Sequence, residues 1–351
     1  EQAEKQLNDG IQDFVALGRP QVADPHWANK VAYGNQDEVK RCVCCLHCME
    51  SMLAGAFLGE NAHCAINPTV GREKEFNSLP KDGNGRVVVV VGAGVAGLTA
   101  AEMLGRRGFK PIVLEKEKEL GGQIQLANKP PKKEKLGWCA EDLAANAKKY
   151  GAEIITGIVA DEKVMTSYRP YAVIIATGAS AVKPKSIEGV GGSNVFTTTD
   201  ILSGKVTLSA QKIAVIGSGL TGIETAELLI EQNNQLTVVE MAKEIAPTAW
   251  FQHKIDILPK LEAANTKFIT SAKLCSIGKD SITLEDVATG KKTVHRFDSV
   301  VLSLGSRSEN QLYEKLKVSL KNVYLIGDAK KVGNIASATA EAYRVATQEL
   351  K

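Results

Sequence analysis

The apolar positions of this chain fall into short β-branched runs, each followed by glycines and then by a stretch with helical spacing. Val87–Val91 is unbroken valine, the pattern of a strand buried on both faces. The chain then turns through Gly92, Gly94 and Gly97, runs for about three helical turns and returns as a second apolar strand ending at Glu115. That order predicts a parallel βαβ unit. The same order recurs 125 residues later, so that residues 89–115 lie over residues 214–240 without a gap. Gly92, Gly94, Gly97, Ala101, Glu102, Leu104, Val113 and Glu115 meet Gly217, Gly219, Gly222, Ala226, Glu227, Leu229, Val238 and Glu240. Self-similarity of this kind predicts two copies of one nucleotide-binding unit.

Each copy continues into a further apolar strand, VIIATGA at 173–179 and VVLSLGS at 300–306. A last strand, VYLIGD at 323–328, and a helix-like tail at 335–350 have no counterpart in the second copy. The economical arrangement is one domain interrupted by the other. The expected fold class is α/β, with two Rossmann-like dinucleotide-binding domains in a glutathione-reductase-like order. The first comprises residues 86–181 and 318–351, and residues 182–317 form the insert. Ahead of them, DFVALGR at 13–19 reads as a short strand ending in a Gly-Arg turn, and LPKDGNG at 79–85 as a linker.

Composition narrows the function classes. The 351 residues are 44% hydrophobic and 24% charged, the mixture of a globular protein with sizeable cores. Lys and Arg number 43 against 40 Asp and Glu, a net charge of +3 that points away from nucleic acid and anionic membrane surfaces and towards a small-molecule partner. The longest apolar stretch, residues 87–105, nears membrane-span length but is broken by glycines, Thr99 and Glu102. The start EQAEKQLNDG has neither an initiating Met nor an apolar signal region, which gives the expectation of a cytoplasmic protein or a fragment of one. Oligomeric state stays open, a homo-oligomer included.

Gly92-x-Gly94-x-x-Gly97 follows a strand and opens a helix, so backbone N–H groups and the positive helix end can hold a pyrophosphate with no Cβ in the way. Glu115, at the end of the second strand, is placed to accept ribose hydroxyls. Gly217-x-Gly219-x-x-Gly222 with Glu240 repeats every part. Glu240 would meet the 2′-phosphate of NADP as a like charge costing several kcal/mol, so NAD(H) is favoured, although Lys243 lies three residues on. Gly121-Gly122-Gln123, Ala176-Thr177-Gly178 and Gly327-Asp328 decorate only the interrupted domain. Asp328 suits a polyol hydroxyl, and a helix beginning near Gly333 suits a developing anion. FAD is therefore assigned to the first unit and NAD to the insert. The candidate FAD residues are Gly92, Gly94, Gly97, Glu115, Gly122, Gln123, Val159, Thr177, Gly178, Gly327 and Asp328. Those for NAD are Gly217, Gly219, Gly222, Glu240 and Gly305. No side chain is assigned as catalytic, because hydride transfer between two cofactors needs position rather than an acid or base.

Of seven cysteines, Cys42, Cys44, Cys45, Cys48 and Cys64 crowd into 23 residues. Cys42, Cys45, Cys48 and Cys64 give C-x2-C-x2-C-x15-C, which favours a [4Fe–4S] cluster over zinc, whose usual pattern is two separated pairs. Structural zinc, free or disulfide-bonded cysteines, and a Cys42–Cys45 thiol redox pair remain open alternatives. The last would make the chain an NADH-dependent disulfide or acceptor reductase.

The order DFVALGRP, C-x2-C-x2-C…CAINPTVGRE, GAGVAGL, GGQ, ATG, GSGLTG, LIGD resembles the C-terminal half of the 2-enoate reductase, 2,4-dienoyl-CoA reductase and trimethylamine dehydrogenase family over essentially the whole chain. The resemblance implies an N-terminal (β/α)8 barrel that binds FMN and reduces the substrate, with the cluster between FMN and the FAD domain. It implies that Gly18 and Arg19 contact the FMN phosphate and that Cys42, Cys45, Cys48 and Cys64 ligate the cluster. Residues 1–38 would be the last strand and helix of the barrel, and 39–85 the cluster segment and linker. A complete barrel needs about 250 residues, so the substrate site and its proton donor lie outside this sequence. The implied path runs from NADH to FAD, the cluster and FMN, and ends on a carbonyl-activated carbon–carbon double bond. The barrel would be part of the same polypeptide or a separate subunit on which this chain docks.

Overall fold

A computed structural model describes residues 2–59, 61–76 and 79–350. Its centre is a five-stranded parallel sheet in the order Val323–Leu325, Ala172–Ile175, Val87–Val91, Lys110–Glu115 and Glu153–Thr156. The all-valine strand lies in the middle because it can be apolar on both faces. Val88 and Val90 enter one core with the Val95–Arg106, Gly137–Lys149 and Ile335–Arg344 helices, while Val89 and Val91 enter another with Met165 and Leu316. At roughly 1.5–3 kcal/mol per buried valine, this strand alone anchors the sheet.

A second five-stranded parallel sheet runs Val195–Thr197, Ser299–Leu302, Lys212–Ile216, Gln235–Val239, Lys267–Ile269. Its central strand splits its side chains in the same way, with Ile213 and Val215 in one core and Ala214 and Ile216 in the other. One face carries a three-stranded antiparallel sheet of Ala272–Ile277, Ser281–Asp286 and Lys292–Arg296. The chain passes between the two bodies at Ala179–Ala181 and Ser306–Ser308, which pair antiparallel. The first sheet thus recruits its last strand from beyond the second.

One expectation needs correction. Residues 13–19 form no strand, since among the described residues nothing offers them a ladder and Phe14 is 89% exposed. Pro20, which suits a first helical turn, instead opens the short Arg19–Ala23 helix with Gly18 as its N-cap. The 79–85 linker is docked on the first domain. Gly83 N–H donates to the Arg107 carbonyl and Gly85 N–H to that of Gly108, both at 2.9 Å. A Cβ on Gly83 would stand 2.1 Å from the Phe109 nitrogen, so only glycine allows this approach.

The cysteine-bearing segment is fastened by charge. Lys40 pairs with the fully buried Glu102 at 2.7 Å, Arg41 grips Asp142 with Nε and Nη2 at 2.9 and 2.6 Å, and Glu38 pairs with Lys149. No helix among the described residues is long and apolar enough to cross a membrane.

Candidate functional site

Both glycine turns are built by the same sterics. Gly92 and Gly217 have φ of +105° and +95°, and a Cβ there would strike the Ala176 or Ser303 carbonyl oxygen at 2.4 or 2.3 Å. Gly97 and Gly222 bring the helix onto the turn, where a Cβ would lie 1.9 or 2.2 Å from the oxygen of Gly92 or Gly217. Gly94 and Gly219 face open space, with nothing within 4 Å of a Cβ, at the N-termini of the Val95–Arg106 and Leu220–Glu231 helices. The first and third glycines therefore serve the protein's own packing, and the second leaves room for a ligand against backbone.

The two acids sit beside these turns. Glu115 is buried and accepts the Ala93 N–H on Oε2 at 2.7 Å and the Glu117 N–H on Oε1 at 2.9 Å. Glu240 accepts Ser218 N–H at 2.9 Å and Ser218 Oγ at 2.6 Å on Oε2, and Ala242 N–H on Oε1 at 2.9 Å. Burial pushes the Glu240 carboxyl up, but the Ser218 hydroxyl and the backbone donors outweigh it and hold the group below the usual carboxylate range.

The decorations of the first domain gather at the same end of its sheet. Gly121 N–H donates to the Ala93 carbonyl at 2.8 Å, which lays residues 121–123 across the turn, with Gly122 against Gly94. Gln123 donates to Asp328 Oδ2 at 3.0 Å, and Gly333 N–H to Asp328 Oδ1 at 2.9 Å. Gly327 has φ +61° and faces Ala96. The Ile335–Arg344 helix follows, capped reciprocally by Asn334 and Ser337. Thr177 and Gly178 lie at the crossing between domains, the Thr177 hydroxyl donating to the Glu309 carbonyl and Glu309 N–H to the Gly178 carbonyl. Gly305 shares that crossing, its carbonyl accepting from Val182 N–H at 3.0 Å. Val159 is 74% exposed, next to Ile158, whose N–H donates to the Glu115 carbonyl.

Cys42, Cys45, Cys48 and Cys64 line one recess together with Cys44, Arg19, Val22, Val43, Leu46, Ala65 and Ile66. Left-handed backbone at Cys44 and Leu46, φ 56° and 62°, folds the first three cysteines around it. The His47 N–H faces the Cys45 sulfur, and those of Ile66 and Asn67 face Cys64. Burial pushes the Cys42 and Cys45 thiols up and that of Cys64 up to about 11. Among the described residues no three His, Cys, Asp or Glu side chains converge on one metal ion. The recess is bonded to the first domain, since the buried Thr339 hydroxyl donates to the Ala65 carbonyl at 2.6 Å. Arg19 faces these cysteines, whereas nothing lies within 4 Å of a Cβ on Gly18.

Sequence reasoning missed Ser218, Glu309, Thr339 and an ion pair between the bodies, Lys133–Glu224 at 2.7 Å. Only Ser218 had a visible signal, as the residue that differs between GAG and GSG in the aligned repeats.

Residues 86–342 match the family described as pyridine nucleotide-disulphide oxidoreductase, which implies FAD and NAD(P). The chain is 35% identical to an NADH oxidase of Thermoanaerobacter brockii, covering 99% of this chain and 53% of that protein. It is 33% identical to a cinnamate reductase of Clostridium sporogenes, over 96% of this chain and 50% of the relative. The solved structure of 2-naphthoyl-CoA reductase with 2-naphthoyl-CoA superposes with a TM-score of 0.91 at 28% identity, over 99% of this chain and 52% of that one. The chain thus spans about half the length of the relatives it matches. It belongs to the pyridine nucleotide-disulphide oxidoreductase family and is similar to the C-terminal half of flavin oxidoreductases of the 2-enoate reductase and trimethylamine dehydrogenase type.

Proposed function

We propose that this chain is the electron-input half of an NADH-dependent oxidoreductase, taking reducing equivalents from NADH through FAD and a [4Fe–4S] cluster towards FMN on a barrel domain. Carbonyl-activated carbon–carbon double bonds, in an enoate, enoyl thioester or enone, are the proposed substrate class. The cinnamate reductase and 2-naphthoyl-CoA reductase likenesses support it. The observation that carries the proposal is the recess of four thiols bonded through Thr339 to the helix beside Gly327 and Asp328. An all-thiol donor set lining one recess, with backbone N–H groups facing two of the sulfurs, fits an iron–sulfur cube. When bound, the flavin supplies two-electron exchange with the nicotinamide and one-electron exchange with the cluster.

The chain's own residues bind and orient. In this proposal Gly94 and Gly219 let pyrophosphates approach backbone, and Glu115 and Glu240 accept ribose hydroxyls. Asp328 holds the ribityl chain with Gln123 beside it. The positive N-terminal end of the Ile335–Arg344 helix would favour negative charge on a flavin held there. Arg19, which lines the recess, and Gly18 would contact the FMN phosphate. Residues 86–181 with 318–351 form the FAD domain and 182–317 the NAD domain.

The test is anaerobic titration of the holoprotein with NADH. The expected result is bleaching of the flavin and cluster absorption, with about four iron and four sulfide per chain. A colourless preparation holding one zinc per chain would overturn the proposal.

A further inference from the structure

We infer that Ser218 is a specificity-determining positioning residue, which orients Glu240 and the turn after it so that the insert accepts NADH and rejects NADPH. The inference rests on the proposed use of NADH and goes beyond it by assigning the discrimination to a hydroxyl rather than to the carboxylate alone.

Glu115 and Glu240 occupy the same place in the two repeats, and each accepts the N–H of the residue between the first two glycines. In the first copy that residue is Ala93, and in the second it is Ser218. Both are fully buried. Ser218 Oγ donates to Glu240 Oε2 at 2.6 Å and accepts the Ala246 N–H at 2.8 Å. A carboxylate can only accept and an amide N–H can only donate, so the direction of the hydroxyl proton is fixed. With both Ser218 donors on Oε2, the carboxylate is turned so that Oε1 accepts the Ala242 N–H, and the Met241 N–H also faces the group.

The second bond holds the turn. Ala246 is fully buried with φ +54°, a conformation a non-glycine residue keeps only when its surroundings impose it. Lys243 lies in that turn and is exposed. Anchoring Ala246 fixes the turn that carries this ammonium, the nearest lysine in sequence able to neutralise a 2′-phosphate beside Glu240. Removing the hydroxyl releases the acid from one side and the turn from the other, and both changes favour the phosphorylated ribose.

Ala93 shows that alanine fits this backbone, so Ser218→Ala is the natural variant. The measurement is calorimetric affinity of the FAD-loaded holoprotein for ADP-ribose and 2′-phospho-ADP-ribose, which bind without being oxidised. The wild type is expected to prefer ADP-ribose. S218A is expected to lower that preference by roughly fivefold or more, as befits loss of a hydrogen bond to a charged group. Ser218→Thr, which keeps the hydroxyl, is expected to restore it. If Glu240→Gln abolishes the preference while S218A leaves it unchanged, Ser218 is not the determinant. An S218T variant that behaves like S218A would assign the effect to packing and likewise overturn the inference. A wild type that binds both probes equally would overturn the NADH assignment itself.

Discussion

Neighbouring glycines in one motif answer to different demands, and single substitutions separate them. A methyl at Gly97 would stand 1.9 Å from the Gly92 oxygen, and both atoms belong to backbone that cannot move aside cheaply. Gly97→Ala is therefore expected to cost about 2 kcal/mol or more of unfolding free energy by denaturant titration. Gly94→Ala, with nothing near the added methyl, should unfold like the wild type when both are flavin-free and yet retain less flavin after gel filtration. A Gly94→Ala protein that keeps full flavin would show that the pyrophosphate does not pass there. The cysteines divide in the same manner. Cys64→Ser, which removes the thiol that Ile66 and Asn67 face, is expected to lose most of its iron by colorimetric assay, whereas Cys44→Ser keeps it. Equal iron in both would sink the four-ligand assignment. The glycine roles are legible in the sequence because the same glycine spacing, set between a strand and a helix, repeats 125 residues on. The work of Ser218 is not, since its partner Ala246 lies 28 residues away and nothing local marks the pair.

Whole elements were legible wherever a strand buries both faces, because Val87–Val91 and Lys212–Ile216 leave no amphipathic ambiguity. Residues 13–19 carry strand-like residues but find no ladder partner here, and propensity without pairing does not make a strand. The fastening of the cysteine segment was equally hidden, since it depends on Lys40 and Arg41 reaching helices about 60 and 100 residues away. Lys40 and Arg106 flank Glu102, and although its complete burial pushes the carboxyl up, the two cations hold it below its ordinary value of 4.5. A depressed folded value means that stability is contributed above pH 4.5 and lost as pH falls through the folded value. Lys40→Met removes one cation and leaves Arg106, so the expected loss at pH 7 is about 2 kcal/mol, below the usual cost of stripping a buried pair entirely. Urea titrations at pH 7 and pH 3.5 should show the gap between wild type and variant shrinking in acid. A gap that stays constant would mean that Lys40 acts through packing rather than charge.

At the scale of the molecule, the two dinucleotide-binding bodies meet through an ion pair that neither body contains alone. The Leu220–Glu231 helix carries two acids with little exposure, and Glu227 is neutralised inside its own domain by Lys260 at 2.7 Å. Glu224 instead relies on Lys133 of the other body, also at 2.7 Å, with the two side chains 13% and 23% exposed. Burial, and then the nearby Glu227, push the Glu224 carboxyl above its ordinary 4.5, and Lys133 restrains that rise. Rotating the insert away would strip Glu224 of its cation, so the pair holds the arrangement in which the Ala179–Ala181 and Ser306–Ser308 strands cross. Lys133→Met leaves an acid with a still higher folded value. Its ionisation then costs more as pH rises above 4.5, and protonation removes that cost in acid. The expected outcome is faster limited proteolysis at the crossing strands of K133M than of wild type at pH 8, and a much smaller difference at pH 5. Adding Glu224→Gln to K133M should slow cleavage again at pH 8, because no charge is then left without its partner. Cleavage that ignores both substitutions and pH would mean that the crossing strands, and not this ion pair, set how the two bodies are held.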